Sequence, residues 1–536
     1  MDICNNKIKS AIQLLLTKIA YPFRHDLLYF ILLWVSLACV PCYEAISGSH
    51  YVYAVYISLL YYCLTYLVVF FLDINQSIGK ILKPIVFFSV YIFCILNLYC
   101  LSVYNCLLSA DFIEIIRGTN FDEVREYFEM YFSVQKSLMF ILLISASIAA
   151  YIISTKIKIR KWISYIATAL LPVSIAMTLH NTGVIYDLAS RDKWIFKIDE
   201  IVDLRDHLAH PDIYAINDLQ PDNIVVILGE AFSKSHSQLY GYDLETNPLL
   251  LAKRDEGSLV VFNNITSPKT DTNATFKYLL NTFRLGMEDN CKWYESTSLI
   301  EVLNSANYHT AWFSNQNKTG MYDNLPSGHA RICDESAFTE KLNGHKYDGF
   351  LIDFEISDCE CRKAVFYHLM GQHEGFKDRY PANFNIFQSS DYQNNISTRG
   401  GGQCEFIAHY DNATLYNDYV VNSLIDKYKD SDAIVFYLSD HGLDIYDTDP
   451  EYCGHAKLTP ESQDICKKIP FMIYLSPLYQ QLRPQMTDKI RRAVNNEYCT
   501  DKLIYAIMDI VGLKFADNDD VAQFSLVRDA AYKEIL

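Results

Sequence analysis

Positive charge is scarce in this sequence of 536 residues: 46 Lys and Arg stand against 63 Asp and Glu, a formal net charge of −17. A chain that grips nucleic acid needs a basic face, so that partner is excluded. There is no internal repeat and no low-complexity tract, and the glycine run at 400–402 is expected in a polar loop. Nor is there the apolar–polar alternation of a membrane β-barrel, which leaves helices as the only way for this chain to span a bilayer. Charge is also nearly missing from five stretches of the first third, roughly 26–43, 51–72, 85–105, 132–154 and 162–181. Each is near the ~20 residues that a helix needs to cross a hydrocarbon core.

The cations between these stretches set an orientation, because short loops rich in Lys and Arg stay on the cytoplasmic side. Lys7, Lys9, Lys18 and Arg24 precede the first run, Lys80 and Lys83 lie between the second and third, and Lys156, Lys158, Arg160 and Lys161 lie between the fourth and fifth. The loop between the third and fourth carries Asp111, Glu114, Asp122, Glu123, Glu126 and Glu129 against Arg117 and Arg125, which suits the outer face. Five crossings then put everything after about residue 181 outside. The first run is long and lacks a small-residue cleavage site, so a retained anchor is expected rather than a removed leader.

Eight of the cysteines lie in the expected exported part: Cys291, Cys333, Cys359, Cys361, Cys404, Cys453, Cys466 and Cys499. An even number in an oxidising compartment suggests disulfides, with free thiols as the alternative, and spacing does not choose the pairs. The organisation expected is a transmembrane domain over 1–181, a juxtamembrane linker with amphipathic stretches over 182–221, and a catalytic domain over 222–536. From Asn223 onward short apolar runs alternate with helical ones, the pattern of an α/β sheet wrapped by helices. Strands are expected at 223–229, 309–314, 364–370, 433–438 and 470–475, and helices at 273–284, 411–428 and 500–511.

Ligands of layered α/β proteins collect at the carboxyl ends of strands, so polar residues closing apolar runs are the ones to weigh. The first run closes on Gly229-Glu230, the third leads into His368 and on to Gly371-Gln372-His373, the fourth closes on Ser439-Asp440-His441-Gly442, and His455 follows. Singly, each is better explained as a cap or a structural histidine. Together they supply the oxygen and nitrogen ligands of a catalytic Zn²⁺, whereas a structural zinc site favours thiolates. The segment Ser267 to Thr275 opens the helix expected at 273–284. A hydroxyl there serves as an N-cap, which accounts for Thr270, yet it is also suited to attack on phosphate when a metal lowers its pKa. Either role, cap or nucleophile, could fall to Thr272.

The string VVILGEAFSKSHSQLYGYDLETNPLL (225–250), the Thr-x-Thr-x-x-Thr of 270–275, YHLMGQHEGFKDRYP (367–381), SDHG (439–442) and GHA (454–456) resemble, in order and spacing, the motifs of phosphoethanolamine transferases of the sulfatase and alkaline phosphatase superfamily. The resemblance implies a five-helix transmembrane bundle followed by an α/β/α sulfatase-like domain, set in a bacterial inner membrane with its catalytic part in the periplasm. It implies that Glu230, Thr272, Asp440 and His441 hold a principal Zn²⁺, one of one or two, with Mn²⁺ the less expected ion. His373 and His455 match a second metal or phosphate-binding pair, and Asn315 and Gln316 match polar residues lining the donor site. Thr272 matches the nucleophile that takes phosphoethanolamine from phosphatidylethanolamine and passes it to lipid A, the lipopolysaccharide core or another envelope glycan. Where the lipid A enzymes follow the nucleophile with a Ser-Val-Pro-Cys-Met-Phe-like stretch, this chain has Asn273-Ala-Thr-Phe-Lys-Tyr. That departure weakens lipid A as the acceptor and leaves Cys291 to find Cys333 or another partner.

Two rival readings remain at this point. An enzyme resembling lipoteichoic acid synthases would move glycerophosphate with Mn²⁺, and a catalytically dead relative would serve as a membrane scaffold. The pair His373 and His455 and the oxidisable cysteines favour zinc, and retention of every ligand type disfavours the scaffold. A true sulfatase would need Cys or Ser before x-Pro-x-Arg, and Asn-Ala-Thr-Phe follows Thr272 instead.

Overall fold

The structure, a computed structural model, describes residues 10, 13, 17–47, 51–104, 134–157, 160–180, 211–216 and 219–528, less 289, 317–324, 340–346, 358–359, 393–400, 451 and 518–519. It divides into two units, each taken by itself below.

In the first unit the five apolar runs form helices α1 (Leu27–Ser47), α2 (Tyr51–Ile74), α3 (Gln76–Tyr104), α4 (Val134–Lys156) and α5 (Lys161–His180). Among the described residues two stretches are long and apolar enough to cross a membrane, Ala54–Ile74 and Ser77–Asn97. Their outward side chains are themselves apolar, Phe71, Ile81 and Ile92 among them, which in water would be a large uncovered patch. Inside, rings pack edge to face, with Phe30 and Trp34 lying 4.8 and 5.2 Å from Tyr62. Lys83, expected in a loop, lies on α3, where Asp26 and Asp73 neutralise it at 3.0 and 2.7 Å. The acidic loop 111–129 and linker residues 182–210 fall outside the described residues.

The second unit is built on a sheet of seven strands: β1 (Asn223–Gly229), β2 (Leu259–Val261), β3 (Tyr308–Ser314), β4 (Glu335–Phe338), β5 (Arg362–His368), β6 (Ala433–Ser439) and β7 (Phe471–Leu475). Their order is β2-β7-β6-β1-β5-β3-β4. From β6 through β4 all pairings are parallel, and β7 runs antiparallel to both β6 and β2. The central strand β1 reads NIVVILG because both of its faces are covered: Ile224, Val226 and Leu228 enter one core, Val225 and Ile227 the other. Parallel strands bring the carboxyl ends of β1, β3, β5 and β6 to one edge.

Every expected strand is present within two residues. The edge strands β2 and β4 were not anticipated, and the helix expected at 411–428 begins earlier, at α7 (Gly401–Asp426). The helix expected at 273–284 is instead cut short, spanning only α6 (Thr272–Phe276). Leu280 takes a left-handed φ of 63°, and the Asn281 amide donates to the Lys277 and Leu279 carbonyls, which diverts the chain from helix. Residues 213–215 of the expected linker pair with 513–515 and so belong to this unit. Cys361 is disulfide-bonded, whereas Cys291 and Cys333, offered as a pair, are both thiols.

Long helix α7 is locked to the segment after β1 by a buried polar cluster. His236 Nδ1 lies 2.8 Å from Asp411, which also accepts from the Tyr242 and Tyr392 hydroxyls, and its Nε2 faces Asp447 at 3.6 Å. Burial alone would lower the imidazole, but Asp411 and then Asp447 outweigh it and raise it to about 10. A raised pKa stabilises the fold fully below the unfolded value near 6.5 and loses that contribution as pH climbs through about 10. The melting temperature of the wild type should therefore exceed that of His236→Gln by a margin that narrows steadily between pH 6.5 and 10. A margin independent of pH would refute the ion pair.

Candidate active site

The carboxyl end of β1 delivers Glu230, and that of β6 delivers Asp440 and His441; all three are buried, at 2, 1 and 1% exposure. One ligand atom from each lies within 4.8 Å of the others. Thr272 joins them from the first position of α6. Asp271 caps that helix by accepting from the Ala274 amide at 2.8 Å, so neither Thr270 nor Thr272 is needed as the cap. Thr272 Oγ1 is thereby free to reach the Glu230 carboxylate at 3.1 and 3.2 Å and His441 Nε2 at 3.4 Å.

Backbone strain aims these groups. Ala231 has a φ of 53°, a left-handed conformation that costs a residue bearing Cβ on the order of 1–2 kcal/mol. It is held there by the Tyr410 hydroxyl, which donates to the Ala231 carbonyl at 2.8 Å and accepts from the Ser233 amide at 2.6 Å. Ser439 Oγ accepts from the Phe232 amide and donates to the His441 carbonyl. His441 Nδ1 lies 2.8 Å from the Gly442 carbonyl, so Nδ1 carries a proton and Nε2 is turned into the cluster.

The electrostatics are those of a site short of one positive charge. Burial raises Asp440 to about 7, and Glu230 beside it pushes the same way. Burial opposes charge on His441, but Asp440 and Glu230 outweigh it and raise the imidazole to about 10. Burial would likewise raise Glu230, but the His441 contact holds it well below the usual carboxylate range. Asp440 Oδ2 is buried without a hydrogen-bond partner, an arrangement that costs roughly 1–3 kcal/mol in a folded protein. An orphaned carboxylate oxygen, a second carboxylate, an imidazole nitrogen and a hydroxyl suit a Zn²⁺ ion, with no thiolate in the set.

The remaining expected residues surround this core. The ring of His455 lies 4.6 Å from that of His441. His373 follows β5, and burial lowers it to about 4 and His455 to about 3. Both keep a buried Nδ1 with no hydrogen-bond partner. After β3, Gln316 donates to Glu230 at 3.0 Å and to the Leu369 carbonyl at 2.9 Å. The Asn315 amide donates to Asp348 at 2.8 Å, and its carbonyl accepts from the Thr339 hydroxyl. Ser439 is legible in the sequence only as part of the SDHG motif, without a role; Tyr410 and Asp348 were not anticipated, since nothing in their sequence neighbourhoods marks them and only the fold brings them here.

Gly371 presses on the back of Glu230. Its φ is +51°, and a Cβ would stand 2.7 Å from the Glu230 carbonyl oxygen and 2.8 Å from its nitrogen. Gly371→Ala should therefore destabilise the protein by about 1–3 kcal/mol and displace Glu230, lowering zinc affinity at temperatures where the variant is still folded. Calorimetric titration with zinc checks this, and wild-type affinity would show that the backbone of Glu230 can yield.

The chain is 26% identical over 455 residues to the phosphoethanolamine transferase EptC of Escherichia coli K12, covering 78% of this chain and 77% of that one. The crystal structure of the periplasmic domain of E. coli EptC in complex with Zn matches with a TM-score of 0.50 at 26% identity, over 59% of this chain and 89% of that one. The integral membrane lipooligosaccharide phosphoethanolamine transferase A of Neisseria meningitidis matches with a TM-score of 0.58 over 94% of this chain and 97% of that one; at 17% identity it bears on the fold alone. Residues 222–513 match the family model described as Sulfatase, and the chain belongs to that family.

Proposed function

We propose that this protein is a membrane-anchored transferase that moves phosphoethanolamine from phosphatidylethanolamine to an envelope glycolipid or glycan through a covalent intermediate on Thr272. The observation that carries the reading is the Thr272 hydroxyl, freed from capping and held 3.1 and 3.2 Å from the two oxygens of Glu230. In the first half-reaction Thr272 Oγ attacks the donor phosphorus, the bond to the diacylglycerol oxygen breaks, and phosphoethanolamine stays on the threonine. In the second an acceptor oxygen attacks the same phosphorus and Thr272 Oγ leaves. Splitting the transfer lets a lipid donor depart before a bulky acceptor arrives.

Glu230 accepts a hydrogen bond from the hydroxyl and orients it, and Gln316 fixes that carboxylate. The proton that Thr272 loses ends on the departing diacylglycerol oxygen, and the proton of the acceptor hydroxyl returns to Thr272 Oγ in the second half-reaction. Glu230, Thr272, Asp440 and His441 would hold the principal zinc, which when bound supplies a Lewis acid that lowers the pKa of the threonine hydroxyl. His373 and His455, each with Nδ1 unengaged, are assigned to the transferred phosphoryl oxygens or to a second ion. Asn315 and Gln316 border the donor side.

Helices α1 to α5 are taken as five crossings over 1–181 with the amino terminus cytoplasmic, followed by a linker over 182–221 whose residues 213–215 already pack on the catalytic unit of 222–536. That unit is assigned to the periplasm of a bacterial inner membrane. The apolar exterior of the helices and the named relatives support this reading. Among acceptors, lipid A, the lipopolysaccharide core and other envelope glycans share the oxygen nucleophile that the second half-reaction needs. The glycerophosphate alternative is the weaker one, since the named relatives are phosphoethanolamine transferases.

Intact mass spectrometry after incubation with zinc and phosphatidylethanolamine should show an adduct of about 123 Da on wild-type protein and none on Thr272→Ala. An adduct obtained only with phosphatidylglycerol would instead establish the glycerophosphate reading. Asp440→Asn and His441→Ala should each lower bound zinc, and full occupancy in both would overturn the ligand set.

A further inference from the structure

Asp348 is a buried carboxylate, 5% exposed, that opens the 3₁₀ turn Asp348–Asp353. It belongs to no motif, yet three donors converge on it. Oδ1 accepts from the Asn315 amide at 2.8 Å and the Met370 backbone N–H at 2.7 Å, and Oδ2 accepts from the Gly371 N–H at 2.8 Å. Hydrogen bonds to a charged acceptor are the strong kind, roughly 1.5–3 kcal/mol each. The groups so held come from two different strand ends, the loop after β3 and the loop after β5.

Both loops bear on Glu230. Gly371 abuts its backbone, the Gln372 N–H donates to its carbonyl at 2.9 Å, and Gln316, next to Asn315, donates to its side chain at 3.0 Å. We propose that Asp348 is a positioning residue: by tying Asn315 to the Met370–Gly371 backbone it holds Gln316 and the His373 loop against Glu230, so that the carboxylate is aimed before metal or donor arrives. The inference rests on the metal site described above. It assigns to Asn315 a place in the scaffold, since both ends of its amide are engaged inside the protein.

The test compares the full-length protein carrying Asp348→Asn with the same protein carrying Asp418→Asn. Asp418 is a matched control, a fully buried carboxylate accepting from the Leu249 and Leu250 N–H groups, both at 2.9 Å, outside the cluster. In Asp348→Asn one oxygen becomes a donor facing another donor, and partners of this outer kind typically cost 10–100-fold in metal affinity or activity. Zinc affinity should fall about tenfold or more, with the rate of adduct formation on Thr272, at a temperature where both variants are folded. Asp418→Asn should lose melting temperature yet keep zinc affinity and rate within about twofold. Equal zinc affinity in Asp348→Asn and wild type, or an equal loss in the Asp418→Asn control, overturns the proposal. Should Asp348→Asn fail to fold, Asn315→Ala removes one donor of the hub and should still weaken zinc about fivefold; no change would count against the hub. Absence of any wild-type adduct would sink the transferase reading while the zinc comparison still decides the role of Asp348.

Discussion

Two buried carboxylates must share one pocket, and the catalytic unit is organised around that fact. Glu230 and Asp440 are each about 2% exposed or less, and like charges so placed repel strongly where water cannot screen them. His441 faces both, and its single charge can balance only one of them. The shortfall shows as one orphaned oxygen, Oδ2 of Asp440. A divalent cation removes both penalties at once, and no apolar repacking could, because both carboxylates end strands whose remaining residues already fill the two cores. The proton that the cluster drives onto His441 stands where such a cation would bind.

Holding such a pocket together costs conformational energy, and the support is recruited from distant parts of the chain. Left-handed Ala231 and Gly371 stand on either side of Glu230, one restrained by Tyr410 of α7, the other by Asp348. Strain of this sort persists only where surrounding groups over-determine it. Tyr410 and Asp411 of α7 therefore brace the site although the helix contributes no ligand. His236, Asp411 and the two tyrosines bind it to the segment that leaves β1, so the turn after Glu230 is fixed at both ends.

Central strands were legible because burial on both faces demands unbroken apolar runs, and β1, β3, β5, β6 and β7 all have them. The edge strand β4 is only partly buried and its Glu-Ser-Ala-Phe carries no such pattern, while β2, though covered on both faces, is only three residues long. Glu230, Asp440 and His441 could be read since each directly follows such a run. From its own surroundings Thr272 could be read only as one of two threonines near a helix start, and it was the resemblance to the transferase motifs that singled it out. The helix expected after it failed because its apolar residues Phe276, Tyr278, Leu279 and Leu280 are buried through a turn rather than along one helical face. Asp348 and Tyr410 left no trace in the sequence, since an isolated polar residue in a turn or a helix looks the same whether it faces solvent or a metal site.

The opposite edge of the sheet does the anchoring. Arg483 grips Asp432 with two hydrogen bonds at 2.6 and 2.8 Å while donating to the carbonyls of Leu219 at 3.0 Å and Gln220 at 2.7 Å. The Asp432 carbonyl accepts from Asn223 at the start of β1, and Tyr308 at the start of β3 donates to the Pro221 carbonyl. A buried pair of this kind is not a cheap source of net stability, but removing one partner leaves an uncompensated charge that costs about 3–5 kcal/mol. It therefore enforces a single path for the segment leading into β1. With Cys291, Cys333, Cys404, Cys453, Cys466 and Cys499 all thiols, that duty falls on hydrogen bonds and charge rather than on disulfides among them. The consequence is a division along the strands: their amino ends fix where the chain enters the sheet, leaving the carboxyl ends to carry the strain and the unbalanced charge that the chemistry requires.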